Sequence, residues 1–483
     1  MQVNVALPSG KRKHFEIPDS SNVGYLKVLA QKSFGRGFLR LVNAQGVLLD
    51  PQESVQAAGI QDGDTLTAIV QTAKIAVTDE AFAFWCNEGN RVATWGNPDS
   101  GGDSSRVQEQ LRNVRHVQAT ESAFVAILAD GSVVTWGNPA YGGDSSHVQE
   151  QLQNVQQVQS TDRAFAAIVS DGSVVTWGRL DYGGDSSQVQ EQLRNVQQIQ
   201  STYRAFAAIL SDGLVVAWGY PDYGGDSFHV QGQLRNVQQV QSTDAAFAAI
   251  RSDGSIVTWG KPDGGGDSLH VQEQLQNVQQ VQSTRGAFAA ILSDRSVVTW
   301  GRPDCGGDSL HVQEQLQNVQ QVQSTRAAFA AILSDGSVVT WGRPDCGSDS
   351  SQVQEQLRNV QQVQSTGSAF AAILLDGSVV AWGYPDYGGD CSHVQEQLQN
   401  VQQIQSTYRA FAAISTDGSI VTWGEPDYGG DSSHVQEQLR NVQQVQSTWS
   451  AFAAILSDGS VVTWGNPDYG GDSSQVQDLI SFI

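Results

Sequence analysis

From about residue 74 onward, apolar and polar positions alternate in short runs that recur with a fixed period. Trp-Gly pairs begin at Trp95, Trp136, Trp177, Trp218, Trp259, Trp300, Trp341, Trp382, Trp423 and Trp464, each 41 residues after the last. A period of that length signals a repeat array, and ten units fill the chain after its first seventy-odd residues. In the unit from Val155 to Asn195, three β-branched and aromatic runs predict three strands: Val155 to Thr161, Ala164 to Val169 and Val174 to Gly178. Asp171-Gly172 between the last two predicts a tight type I′ hairpin, whose two central residues both need positive φ. Eight of the ten units carry Asp-Gly there, the first has Glu88-Gly89, and the sixth has Asp294-Arg295. The Arg295 turn is expected to be strained, at a cost of about 1–2 kcal/mol, or of another type. The segment from Ser187 predicts a short helical turn, with Ser187 as its cap, Gln190 closing a capping box, and Val189 and Leu193 facing inward. One unit cannot bury Phe165, Ile168, Val175 and Trp177 alone, so stacking against neighbours must supply the core. The ends fit this scheme: Lys74 to Thr78 stands for the first strand of unit one, and Val476 to Ile483 is an apolar variant of the helical segment.

The first 71 residues follow another pattern and predict a separate α+β domain, giving domains 1–71 and 72–483. The alternating Met1-Gln2-Val3-Asn4-Val5, the turn Pro8-Ser9-Gly10-Lys11, the amphipathic stretch Val23 to Lys32, Arg40-Leu41-Val42, and Gly59-Ile60-Gln61-Asp62-Gly63-Asp64-Thr65-Leu66 resemble ubiquitin in order and spacing. The resemblance implies a β-grasp fold, in which Val42 and Ile69 match two apolar members of ubiquitin's recognition patch while Pro8 stands where ubiquitin has Leu. Gln71-Thr72-Ala73-Lys74 replaces the terminal Arg-Gly-Gly, which implies a built-in domain rather than a processed modifier. The repeated Asp-Gly-Ser-Val-Val-Thr-Trp-Gly resembles the repeats of the regulator of chromosome condensation family, over about 410 of the 483 residues. That family folds as a β-propeller of four-stranded blades. Here Phe165 replaces the family's His, Gly184-Asp185-Ser186 replaces its Gln-Leu-Gly, and the units are shorter, so three strands per unit are expected. Ten units exceed the usual four to eight blades, and a ten-bladed ring, two arcs and an open solenoid all remain expectations.

Charge narrows the function. Against 27 basic side chains stand 50 acidic ones, for a net −23; residues 1–71 hold seven basic and six acidic, so the acidity belongs to the array. Phosphate backbones and anionic membranes recruit clustered Lys and Arg, so neither nucleic acid nor membrane is an expected partner. No apolar run approaches the ~20 residues of a membrane helix. Without a secretory signal core, and with four cysteines in no C-x-x-C spacing, the chain is expected in the cytoplasm or nucleus. Lys11-Arg12-Lys13 reads as the basic edge of a hairpin before it reads as an import signal.

Chemistry is sought and not found. Phosphate-loop, nucleophile-elbow and His-Glu-x-x-His motifs are absent from the sequence. His147, His229, His270, His311, His393 and His434 share one repeat position with Arg106, Gln188, Gln352 and Gln475, which marks it as a solvated site rather than a catalytic one. Asp181 and Asp185 recur at four-residue spacing in nine units, with Ala140 in the other; two carboxylates per loop read as turn and cap residues rather than a Ca²⁺ site. No enzyme, metal or cofactor is expected.

Two positions vary most between units. One is the dipeptide after Ser-Thr, which includes Arg163, Tyr203, Arg204, Arg285, Arg326, Tyr408, Arg409 and Trp449; the other follows Trp-Gly and includes Tyr220, Arg302, Arg343 and Tyr384. Antiparallel strands place both sets on one face. Tyr, Trp and Arg dominate interface hot spots, so this rim is expected to bind proteins, with Val42 and Ile69 a second contact. The expected function is a non-enzymatic interaction scaffold or adaptor tied to the ubiquitin pathway. The resemblances also imply two alternatives: guanine-nucleotide exchange on a small GTPase, against which units of constant length leave no protruding wedge loop, or the substrate-recognition part of a ubiquitin ligase.

Overall fold

Val3 and Val5 alternate with other residues and point into the core of the N-terminal unit. The computed structural model, which describes residues 1–35, 37–86 and 91–482, places them on β1 (Gln2–Ala6), followed by β2 (Arg12–Glu16), α1 (Val23–Phe34), β3 (Phe38–Val42) and β4 (Thr65–Gln71). Sheet order is β2-β1-β4-β3, with β1 and β4 parallel and the outer pairs antiparallel. Helix α1 begins where Asn22 Oδ1 accepts the Tyr25 amide at 2.8 Å and ends at Gly35 in the left-handed region. Its Leu26 and Ala30 pack on Leu39, Leu41 and Leu66 of the sheet.

Every unit of the array is a three-stranded antiparallel sheet, represented by Val155–Ser160, Ala164–Val169 and Val174–Gly178. Unit one uses Ala73–Val77, Ala81–Cys86 and Val92–Gly96. The middle strand Ala164–Val169 is buried on both faces because the units on either side pack against it. Ala123, Val125 and Ile127 of one unit share a cluster with Phe165, Ala167 and Trp177 of the next, so the small alanines let successive sheets approach. Within a unit Phe165 stacks on Trp177, with ring centroids 5.2 Å apart. Trp177 Nε1 then donates to the carbonyl of Gly142 in the preceding unit at 3.0 Å, which satisfies the buried indole. The same bond spans the ends of the array: Trp95 Nε1 donates to Gly470 O at 3.1 Å, across 375 residues.

Two details differ from expectation. The Asp-Gly hairpins are not type I′: Gly172 alone has positive φ, at 78°, and its amide donates to Val169 O at 2.9 Å. This is a tight turn closed by one left-handed glycine. Asp171 keeps ordinary φ because its Oδ1 accepts the Ser173 amide at 2.8 Å. Arg295 adopts the same left-handed position at φ 66°, so the expected strain sits in an unchanged turn. Glu88-Gly89 lies outside the described residues. The capping box is also absent. Asp185 Oδ1, not Ser187, caps the turn by accepting the Ser187 amide at 2.8 Å, and Gln190 Nε2 reaches back to Val174 O at 2.9 Å, covering the outer strand edge. The segment is a short 3-10 turn in units such as Ser146–Val148. The chain ends in a helix over Gln477–Phe482, whose Ile480 is buried with Phe84 and Phe38.

Candidate functional site

The varied dipeptide sits where each first strand turns into the second, and recurring Ser and Thr hydroxyls together with backbone bonds hold this turn. Thr161 Oγ1 donates to Tyr182 O at 2.9 Å and accepts the Ala164 amide at 3.1 Å. Ser201 Oγ donates to Ser160 O of the preceding unit at 2.6 Å, a link that recurs in the following units. One residue further on, each amide donates to the carbonyl of the next unit. The sequence runs Asp79 to Glu121, Asp162, Tyr203, Asp244, Arg285, Arg326, Gly367, Tyr408 and Trp449, and the Trp449 amide returns to Asp79 O at 2.9 Å. Nine of these ten residues, all but Gly367, line a cavity of about 760 Å³.

Their side chains are sorted by charge. Asp79, Glu121, Asp162 and Asp244 occupy one arc, with Tyr203 among them; Arg285, Arg326, Tyr408 and Trp449 occupy the other. Burial, and then Glu121 and Glu80, push the Asp79 carboxyl up to about 7. Burial raises Asp162 as well, with Glu121, Asp79 and Asp244 adding repulsion. Asp244 rises to about 6, burial outweighing Arg285 and the Tyr203 hydroxyl. An unfolded aspartate titrates near 3.9, so the folded chain binds these protons more tightly. The resulting stabilisation is full below about pH 4 and is lost as pH rises through 6 and 7. Asp79→Asn should therefore raise stability by about 1 kcal/mol at pH 8.5, discounted for partial exposure, and change nothing resolvable at pH 4. Urea melts at the two pH values check this.

The structure brings the predicted rim residues to one face in three tiers. Tyr203, Arg285, Arg326, Tyr408 and Trp449 line the mouth. Tyr408 and Trp449 stack with centroids 4.2 Å apart, and Arg326 Nη1 donates to the Tyr408 hydroxyl at 2.7 Å. Behind them, Arg163, Arg204 and Arg409 are packed against loop tyrosines, with guanidinium centres 4.6 Å from Tyr141, 4.5 Å from Tyr182 and 4.8 Å from Tyr387. These three are part of the packing as well as of the surface. In the outer tier Arg302 and Arg343 pair with Asp304 and Asp345 at 2.8 and 2.6 Å, while Tyr220 and Tyr384 meet Tyr223 and Tyr387 edge to face. Sequence reasoning missed the loop tyrosines, present in six of the ten units, and the first two mouth positions, Asp79 and Glu121. The signal was present: both follow a Thr as Asp162 does.

The second predicted contact is changed. Val42 and Ile69 do share a sheet face, since Val42 lies opposite Thr67 and Ile69 opposite Arg40. Val42 is nevertheless buried, bridged to Leu48, and only Ile69 is exposed, at 41%. On the same face Phe38 packs against Phe84 of the array at 5.2 Å. The repeat histidines such as His147 are exposed.

No family model matches the chain, and no curated protein matches it. Solved structures are similar to it in part. Human WBSCR16 is 14% identical, covering 58% of this chain and 89% of its own, with a TM-score of 0.34. Prp20p from Saccharomyces cerevisiae, described with its binding to Gsp1p and histones, is 15% identical, covering 65% of this chain and 82% of its own, with a TM-score of 0.33. The ectodomain of the Arabidopsis thaliana receptor kinase ACR4 is 16% identical, covering 54% and 93%, with a TM-score of 0.30.

Proposed function

We propose that this protein is a non-enzymatic scaffold that binds partner proteins through the varied face of its repeat array. One observation carries the reading: the backbone makes the bonds that hold the mouth, while the side chains at those positions change from unit to unit. Arg285, Tyr203 and Trp449 remain 44, 38 and 37% exposed there, and such residues supply most interface energy. We read the array as a closed, propeller-like ring of ten units of the regulator-of-chromosome-condensation kind, a reading supported by the seam bonds from Trp95 and Trp449. The first 71 residues we read as a ubiquitin-like domain, supported by the β2-β1-β4-β3 order, and as the link to ubiquitin-pathway proteins in cytoplasm or nucleus.

The test is affinity capture with the full chain beside its Tyr203→Ser/Arg285→Ser/Trp449→Ser variant. Because backbone bonds fix the turns, melting should shift by no more than about 1 kcal/mol. Partners held by the native chain should be lost by the variant. Identical partner sets would reject the reading.

A further inference from the structure

In units three, four and nine, an arginine after the mouth residue fills the space beneath the face by packing on loop tyrosines. Units five to seven lack both partners. Ala245, Gly286 and Ala327 replace the arginine, and Gly264, Cys305 and Cys346 replace the tyrosine; all six are buried. The vacated space opens as a surface cavity of about 450 Å³. Its walls are cationic: Lys261, Arg285, Arg302, Arg326 and Arg343 line it against three aspartates, Asp244, Asp263 and Asp304. This excess of positive charge belongs to a chain of net charge −23. The coincidence is not required by packing, since arginine and tyrosine fill the same positions elsewhere in the ring.

Each cation has a resting contact that an incoming anion can displace: Arg343 lies 2.6 Å from Asp345, and Arg326 donates to the Tyr408 hydroxyl. Lys261 lies 3.6 Å from Asp263, Arg302 2.8 Å from Asp304, and Arg285 only 3.9 Å from Asp244. A Cβ on Gly286 would stand 2.8 Å from Arg302 Cδ, so Arg302 lies directly across that glycine. Burial raises the Cys305 thiol, which stays neutral and does not oppose an anion.

We propose that this cavity receives an anionic side chain from an acidic segment of a partner protein. The inference rests on the protein-binding reading of the face and deepens it. Phosphate and carboxylate share the chemistry, because the planar guanidinium matches both with paired hydrogen bonds.

Fluorescence anisotropy on the full chain tests it with two labelled Ala/Gly peptides, one carrying a phosphoserine and the other a glutamate pair. Gly286→Arg/Cys305→Tyr adds a positive charge but restores the filling of units three and four; Arg302→Gln/Arg343→Gln keeps the space and removes two charges. The native chain should bind at least one peptide, and each variant about tenfold more weakly. Should the filling variant fold poorly, the exposed Arg302→Gln/Arg343→Gln pair still decides the matter. Equal binding by the filled variant would show general attraction and overturn the proposal. Binding of neither peptide would also overturn it, as would inorganic phosphate competing on equal terms with the peptide. If peptide binding fails while partner capture still depends on Tyr203, Arg285 and Trp449, this inference falls alone; if capture is also indifferent, the wider reading falls with it.

Discussion

Replacing Gly224 with alanine is expected to destabilise the array by about 2–5 kcal/mol. Two costs add. Gly224 lies at φ 91° and ψ 11°, a conformation that an L side chain adopts at a penalty of about 1–2 kcal/mol. An added Cβ would also stand 2.6 Å from Cδ2 of Phe247 in the next unit, and overpacking of this kind costs about 1–3 kcal/mol. Phe247 in turn stacks on Trp259, whose indole donates to the carbonyl of Gly224 itself at 3.0 Å. One methyl group thus strikes the contact that joins two units. Gly232→Ala is the control, because that glycine has open space around it and no positive φ. Its replacement should be neutral or slightly stabilising, by about 0.4–1 kcal/mol. Urea midpoints that fell equally for both variants would contradict the account.

Phe38→Ala should cost about 3–5 kcal/mol, and the loss should be felt at one place in the array. Phe38 belongs to β3 of the N-terminal unit, yet it is buried in a cluster with Phe84 of unit one, Ile455 of unit ten and Ile480 of the terminal helix. Beside it, Gly37 lies against Gly459, the hairpin glycine of unit ten. In seven other units that hairpin glycine meets the Asn just before the next unit's first strand, as Gly172 meets Asn195. At the seam the N-terminal unit fills the place of that Asn. Hydrogen exchange in Phe38→Ala should therefore accelerate in units one and ten and stay unchanged around units five and six. Uniform acceleration would show that Phe38 serves only the global core.

The period, the three strands and the position of every described hairpin were legible because each depends on local runs and on glycines that recur in register. The turn geometry was not. Asp171 escapes positive φ by accepting the Ser173 amide, a side-chain bond that the dipeptide alone does not announce. The capping box failed for a related reason: Gln190 Oε1 accepts the Ser186 hydroxyl and its Nε2 donates to Val174 O, sixteen residues away, while Asp185 takes the Ser187 amide. The mouth positions could be found because the backbone holds them and leaves their side chains free to vary. Arg163, Arg204 and Arg409 looked equally free, but their tyrosine partners lie in loops of their own and neighbouring units that only the fold brings near. Val42 matched an apolar patch in position and still became buried, in the strand that bridges to Leu48. The bond from Trp95 to Gly470 leaves no local trace, because these are the same residue types that join successive units.

The account centres on a backbone circuit that closes and so leaves the mouth side chains to vary. Its most direct test is the exchange rate of the Trp449 amide, which donates to Asp79 O across the seam, measured beside the Asp162 and Tyr203 amides inside the array. The account predicts protection of the same order for all three. Fast exchange at Trp449, with Asp162 and Tyr203 protected, would contradict it and mean an open array.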